Sequence, residues 1–139
     1  MRAELLRRCD VIEGAYEFWL AYAAQGLTGD AGSQTGGELR ESLSRAAAAL
    51  TGLGDLLLKL IDADDLKPRD RHHAFHAVLD RDARDALAAI ELVLAQPSIS
   101  SQLVDNLNAS IHLRALLTDL FLIDEILKSS VATPRTYPR

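Results

Sequence analysis

The sequence has little of what staples small proteins or equips them for catalysis. One cysteine, Cys9, stands among 139 residues, so no intramolecular disulfide can form and a cysteine-based zinc site has no ligand set to draw on. Its predicted place on the apolar face of a helix, away from any helix N-terminus, marks it as a small buried hydrophobe and not a nucleophile. The longest apolar stretch, 113–127, is interrupted by Asp119 and Asp124 and is too short and too charged to span a bilayer. The opening Met-Arg-Ala-Glu-Leu-Leu-Arg-Arg has no apolar h-region, so a secretory signal is not expected and the default location is cytoplasmic. Cations are outnumbered, 15 Lys and Arg against 20 Asp and Glu, for a formal charge of -5. General nucleic-acid binding needs clustered cations to replace phosphate counterions, so that class is not expected. No segment alternates apolar and polar residues with the period of a strand.

What is present reads as helix. Hydrophobic residues make up 48% and charged residues 25%, the balance of a globular domain, and the length suits one domain with its own core. Richness in Ala, Leu, Arg and Asp is consistent with a bacterial source. Apolar periodicity predicts four helices, at about 3–25, 38–63, 68–95 and 100–128, within a single domain over 1–128. The stretch 26–37 is glycine-rich and reads as a mobile loop. Pro68 suits a helix start, Pro97 a helix end, and Ser98, Ser100 and Ser101 are N-cap candidates. The last stretch, 129–139, with Pro134 and Pro138, reads as a flexible, basic tail. Short connections favour antiparallel neighbours, so the expected architecture is an up-down-up-down four-helix bundle.

The second and third helices carry one apolar stripe each: Leu39, Leu43, Ala46, Leu50, Leu53, Leu57 and Ile61, then Phe75, Leu79, Ala83, Ala86, Ile90 and Val93. The first helix carries two, Leu5, Cys9, Ile12, Tyr16, Trp19 and Ala23 on one side and Val11, Phe18 and Tyr22 on another. The fourth is apolar almost all round. Two stripes imply burial on two sides. A homodimer through helices 1 and 4 is therefore expected, with Val11, Phe18, Tyr22, Leu113, Leu117 and Phe121 at its interface.

Candidate chemistry is sparse. His73, His76 and Asp80 share a helix face, and His112 with the Glu13 and Glu17 strip offers further donors, so a metal site between helices 1, 3 and 4 is one reading. The paired Glu-x-x-His motif of di-iron bundles is lacking, and no cofactor is predicted. Tyr16 and Trp19, within the aromatic cluster 16–22, suggest a pocket for an apolar or planar ligand. The glycine-rich loop has no phosphate-loop lysine and follows a helix, so it reads as a connection. The leading functional expectation is a non-enzymatic interaction or regulatory module, a homodimer with a possible protein partner. The alternative is a bundle that binds a metal or small ligand through the His and carboxylate cluster.

Overall fold

The computed structural model describes residues 1–132, and these are all-α, with no strand among them. The order is α1 (Arg2–Ala23), α2 (Gln34–Leu50), α3 (Leu53–Ala63), α4 (Arg69–Leu94), α5 (Ser101–Ala109) and α6 (Ile111–Ala132). The periodicity predicts one rod over 38–63 and another over 100–128, and both expectations are corrected. The first breaks at Thr51, whose backbone turns extended, and at Gly52, which takes the left-handed conformation that glycine adopts without penalty. Arg8 of α1 donates to the Thr51 carbonyl (2.8 Å), satisfying a group that the break leaves without a helical partner. The second breaks at Ser110, also extended, and its hydroxyl accepts from the Leu113 N–H at the start of α6. The α6 helix runs on through Ala132, so the first part of the expected tail is helical, while 133–139 lie outside the described residues.

Breaking the rods does not disturb their phase. Leu39, Leu43, Ala46, Leu50, Leu53, Leu57 and Ile61 are all buried, and α4 buries Leu79, Ala83, Ala86, Ile90 and Val93. These join Leu5, Cys9, Ile12, Trp19 and Tyr22 of α1 and the inner face of α6 in one hydrophobic cluster. The α1 helix packs on α2 and α5 and also touches α3 and α6, whereas α4 lies against α2, α3, α5 and α6. The first stripe of α1 and Tyr22 of the second are thus used inside the chain.

The glycine-rich connection is held, contrary to its expected mobility. Asp30 at its centre is 8% exposed. The Arg40 guanidinium donates to both carboxylate oxygens of Asp30, to the Leu94 carbonyl (3.1 Å) and to the Gln96 carbonyl (2.8 Å). Asp30 Oδ1 accepts in turn from the Ile99 backbone N–H (2.6 Å). The guanidinium and this N–H hold the Asp30 carboxyl below the usual carboxylate range. Beside this clasp Tyr22 Oη donates to the Ile99 carbonyl, and Ser101 Oγ donates to the Tyr22 carbonyl while accepting from the Leu27 N–H. Gly36 completes the fit, since a Cβ there would collide with the Asp30 backbone. Three stretches distant in sequence meet here: the 24–33 connection, the first turns of α2, and the α4–α5 turn.

Removing Arg40 strands a buried carboxylate, although the guanidinium itself is only partly buried. Arg40→Ala is expected to cost about 2–4 kcal/mol of folding stability. Arg40→Lys is expected to recover little of it, because one ammonium cannot reach the same spread of acceptors. Urea denaturation of both variants measures this, and a loss near zero in either would show that the clasp is incidental.

Candidate functional site

The expected metal set is dispersed by the fold. His73 on α4 points its Nε2 at Asp62 of α3 (3.3 Å), which also accepts from Arg69 (3.0 Å). His72 places Nδ1 against the Pro68 carbonyl of the preceding turn. His76 is half-buried farther along α4, and His112 is exposed in the first turn of α6. Asp80 accepts from Arg84 (3.0 Å) and lies over the first turn of α3, where Gly54 has no Cβ to exclude it. His73 and Asp80 thus border the α3–α4 contact, His112 lies on α6, Glu13 lies near Asp124 of α6 and Glu17 is exposed. Among the described residues no three His, Cys, Asp or Glu side chains gather to hold a metal ion.

Glu13 instead belongs to an α1–α6 cluster with Asp10, Asp124 and Lys128. Lys128 pairs with Asp124 (3.1 Å), and burial, with Asp124 and Asp10 nearby, pushes the Glu13 carboxyl up. Burial pushes the Cys9 thiol up to about 12, with Asp124, Glu13 and Asp10 adding to the effect. Cys9 is fully buried and protonated at neutral pH, the opposite of an activated nucleophile.

A second acidic contact joins α4 to α6. Asp119, 6% exposed, meets Asp82, and burial together with this neighbour pushes the Asp119 carboxyl up to about 7. Two ionised carboxylates would repel at such a contact; one shared proton converts it into a hydrogen bond.

The expected interface residues divide. Leu113 and Leu117 are buried in the core, and Tyr22 is fully buried with its hydroxyl bonded to the Ile99 carbonyl. All three side chains are enclosed within the chain, Leu113 and Leu117 on the inner face of α6 and Tyr22 beside α5. Val11 and Phe18 are half-buried along the α1–α2 seam. Phe121 alone is largely exposed, on α6, and Ile111, Leu122 and Ile126 are exposed on a different side of the same helix, about 100° away.

The expected pocket residues also move to supporting roles. Trp19 is fully buried and donates its indole N–H to Ser42 Oγ (3.1 Å), and Tyr16 packs half-buried against the core. A cavity of about 650 Å³ lies on another side of α1, between it and α2. Its walls include Val11, Gly14, Phe18, Glu38 and Glu41. One trace of it was present in the sequence: Gly14 is a helix-weakening residue inside a strongly periodic helix.

Compared with known protein families, curated proteins and solved structures, the chain matches none. Its class is therefore the one its own geometry defines, an all-helical protein in which no helix among the described residues is long and apolar enough to cross a membrane.

The Asp82–Asp119 contact predicts a pH dependence of definite sign. Asp119 titrates higher folded than unfolded, so the folded state holds more protons between about pH 4 and pH 7 and this group's contribution to stability falls as pH rises through that window. Asp119→Asn is expected to remove the decline and to stabilise the protein at pH 8 by about 1–2 kcal/mol relative to pH 4. Denaturant melts of both proteins across this range report the difference, and parallel profiles would remove the shared proton.

Proposed function

We propose that the chain is a non-enzymatic interaction module, an up-down helical bundle that assembles as a homodimer through the outer face of α6. The observation that carries the reading is the exposure of large apolar side chains there: Ile111 is 74% exposed, Leu122 51% and Ile126 47%. By the helical step of about 100° per residue, these three and Ala115 fall within about 60° of one another, a stripe that runs most of the length of α6. A contiguous apolar stripe on a protein surface usually marks an interface.

The pattern of the stripe favours a second copy as the partner. Ile111 and Ile126, and likewise Ala115 and Leu122, are placed symmetrically about the midpoint between Thr118 and Asp119. Antiparallel pairing of two α6 helices about a dyad therefore sets Ile111 against the partner's Ile126 and Ala115 against the partner's Leu122, large beside large and small beside large in one register. Arg114 and Glu125 lie on the same flank of the stripe, and neither takes part in an ion pair among the described residues. In this register Arg114 comes within side-chain reach of the partner's Glu125, twice over by symmetry. The lack of an activated nucleophile or gathered ligand set among the described residues leaves the apolar face as the feature best suited to function.

Light scattering coupled to size exclusion is expected to return about twice 15.2 kDa. Leu122→Asp is expected to weaken association at least about tenfold, as does loss of an interface anchor elsewhere. Arg114→Glu is expected to weaken it and Arg114→Glu with Glu125→Arg to restore it. A monomer throughout the micromolar range, or a charge swap without rescue, defeats the homodimer.

A further inference from the structure

The groove between α1 and α2 lies apart from the face just described and has a chemistry of its own. Its floor is apolar, from Val11, Ala15 and Phe18. Its rim carries Asp10, Glu38 and Glu41 against one cation, Arg45, and none of the four takes part in an ion pair among the described residues. Glu41 and Arg45 stand four residues apart in the order that ordinarily favours pairing along a helix.

Two further observations concern what the groove excludes and offers. Gly14 lies inside α1, where glycine is the costliest residue after proline. A close approach of another chain segment would explain it, yet a Cβ at Gly14 would meet nothing within 4 Å. What a side chain there would do is narrow the groove. Ser42, 4% exposed, accepts the Trp19 N–H at its Oγ, and its hydroxyl proton has no acceptor among the described residues. The groove therefore contains one buried donor beside an apolar floor and a carboxylate rim.

We propose that this groove binds a small organic monocation with an apolar body, its ammonium held between Glu38 and Glu41 and its body laid on Phe18 and Val11. The volume of about 650 Å³ lies within the range of small-molecule sites and is short for a docked helix. Arg45 stands two turns from Glu38, about 10 Å along the helix axis, so it turns away a second positive charge at the far end. A monoamine is thereby favoured over a polyamine. The Ser42 hydroxyl suits a polar oxygen on the ligand body.

Calorimetric titration of the full chain with tyramine is the direct test, with 4-hydroxyphenylacetate and spermidine as the anionic and polycationic comparisons. Tyramine is expected to bind, the anion not to bind, and spermidine to bind no more tightly than tyramine. Glu41→Gln is expected to weaken tyramine binding about tenfold, in line with loss of one close charge partner. Gly14→Leu is expected to abolish it while holding or raising the melting temperature, because the substitution removes a helix-weakening glycine at an open position. Absence of heat with tyramine at millimolar concentration, equal binding of the anion, or undiminished binding by a folded Gly14→Leu protein overturns the proposal. Binding of a lysine-rich peptide in place of tyramine also overturns it, assigning the groove to a protein segment.

Discussion

The arrangement depends on one partly buried ion pair. Asp30 and Arg40 join a connection, a helix start and a distant turn, and the Arg40 guanidinium answers carbonyls at the end of α4 that no helix could satisfy. Without this pair, three stretches of backbone polar groups would face the interior with fewer partners. With it, the 24–33 connection becomes a fixed strut between α1 and α2. The width of the α1–α2 seam, and hence of the groove along it, follows from where that strut sets the first turn of α2. The Tyr22 and Ser101 hydrogen bonds then bring α5 against the other side of α1. Packing on both sides buries Tyr22 of the second stripe of α1 and leaves Val11 and Phe18 half-buried along the seam.

Much of the helical content is legible in the amino-acid order, because burial acts through periodicity. Leu39 to Ile61 kept their common face even though the rod was broken between them. What periodicity conceals is the break itself. Thr51 and Gly52 add too little to disturb a hydrophobic repeat, and Ser110 is a single residue between two apolar runs. The signals were local, a glycine and a capping serine, and they were outweighed by the longer pattern. The strut at Asp30 was illegible for a different reason. Its partners, Arg40, Leu94, Gln96 and Ile99, are spread through the chain, and backbone carbonyls carry no sequence mark.

Site residues show the same division. The expectation that His73, His76, Asp80, His112, Glu13 and Glu17 converge rested on each helix face taken singly. Pairing of helices decided otherwise, giving Asp62 to His73 and setting Glu13 near the like charge of Asp124. Of the expected interface, Phe121 alone remains openly exposed, since Tyr22, Leu113 and Leu117 had neighbours within the chain. The surplus apolar surface belongs to α6, whose outer face is larger than the residues first assigned to it.

The proton held at the Asp82–Asp119 contact has a consequence for how the molecule moves in an electric field. The formal charge of -5 counts every carboxylate as ionised. A carboxyl raised to about 7 is partly protonated there, so the folded chain carries less negative charge than that count, whereas the unfolded chain carries it in full. Folding and net charge are therefore linked near neutrality, and electrophoretic mobility registers the closure of the α4–α6 contact as well as any change in size.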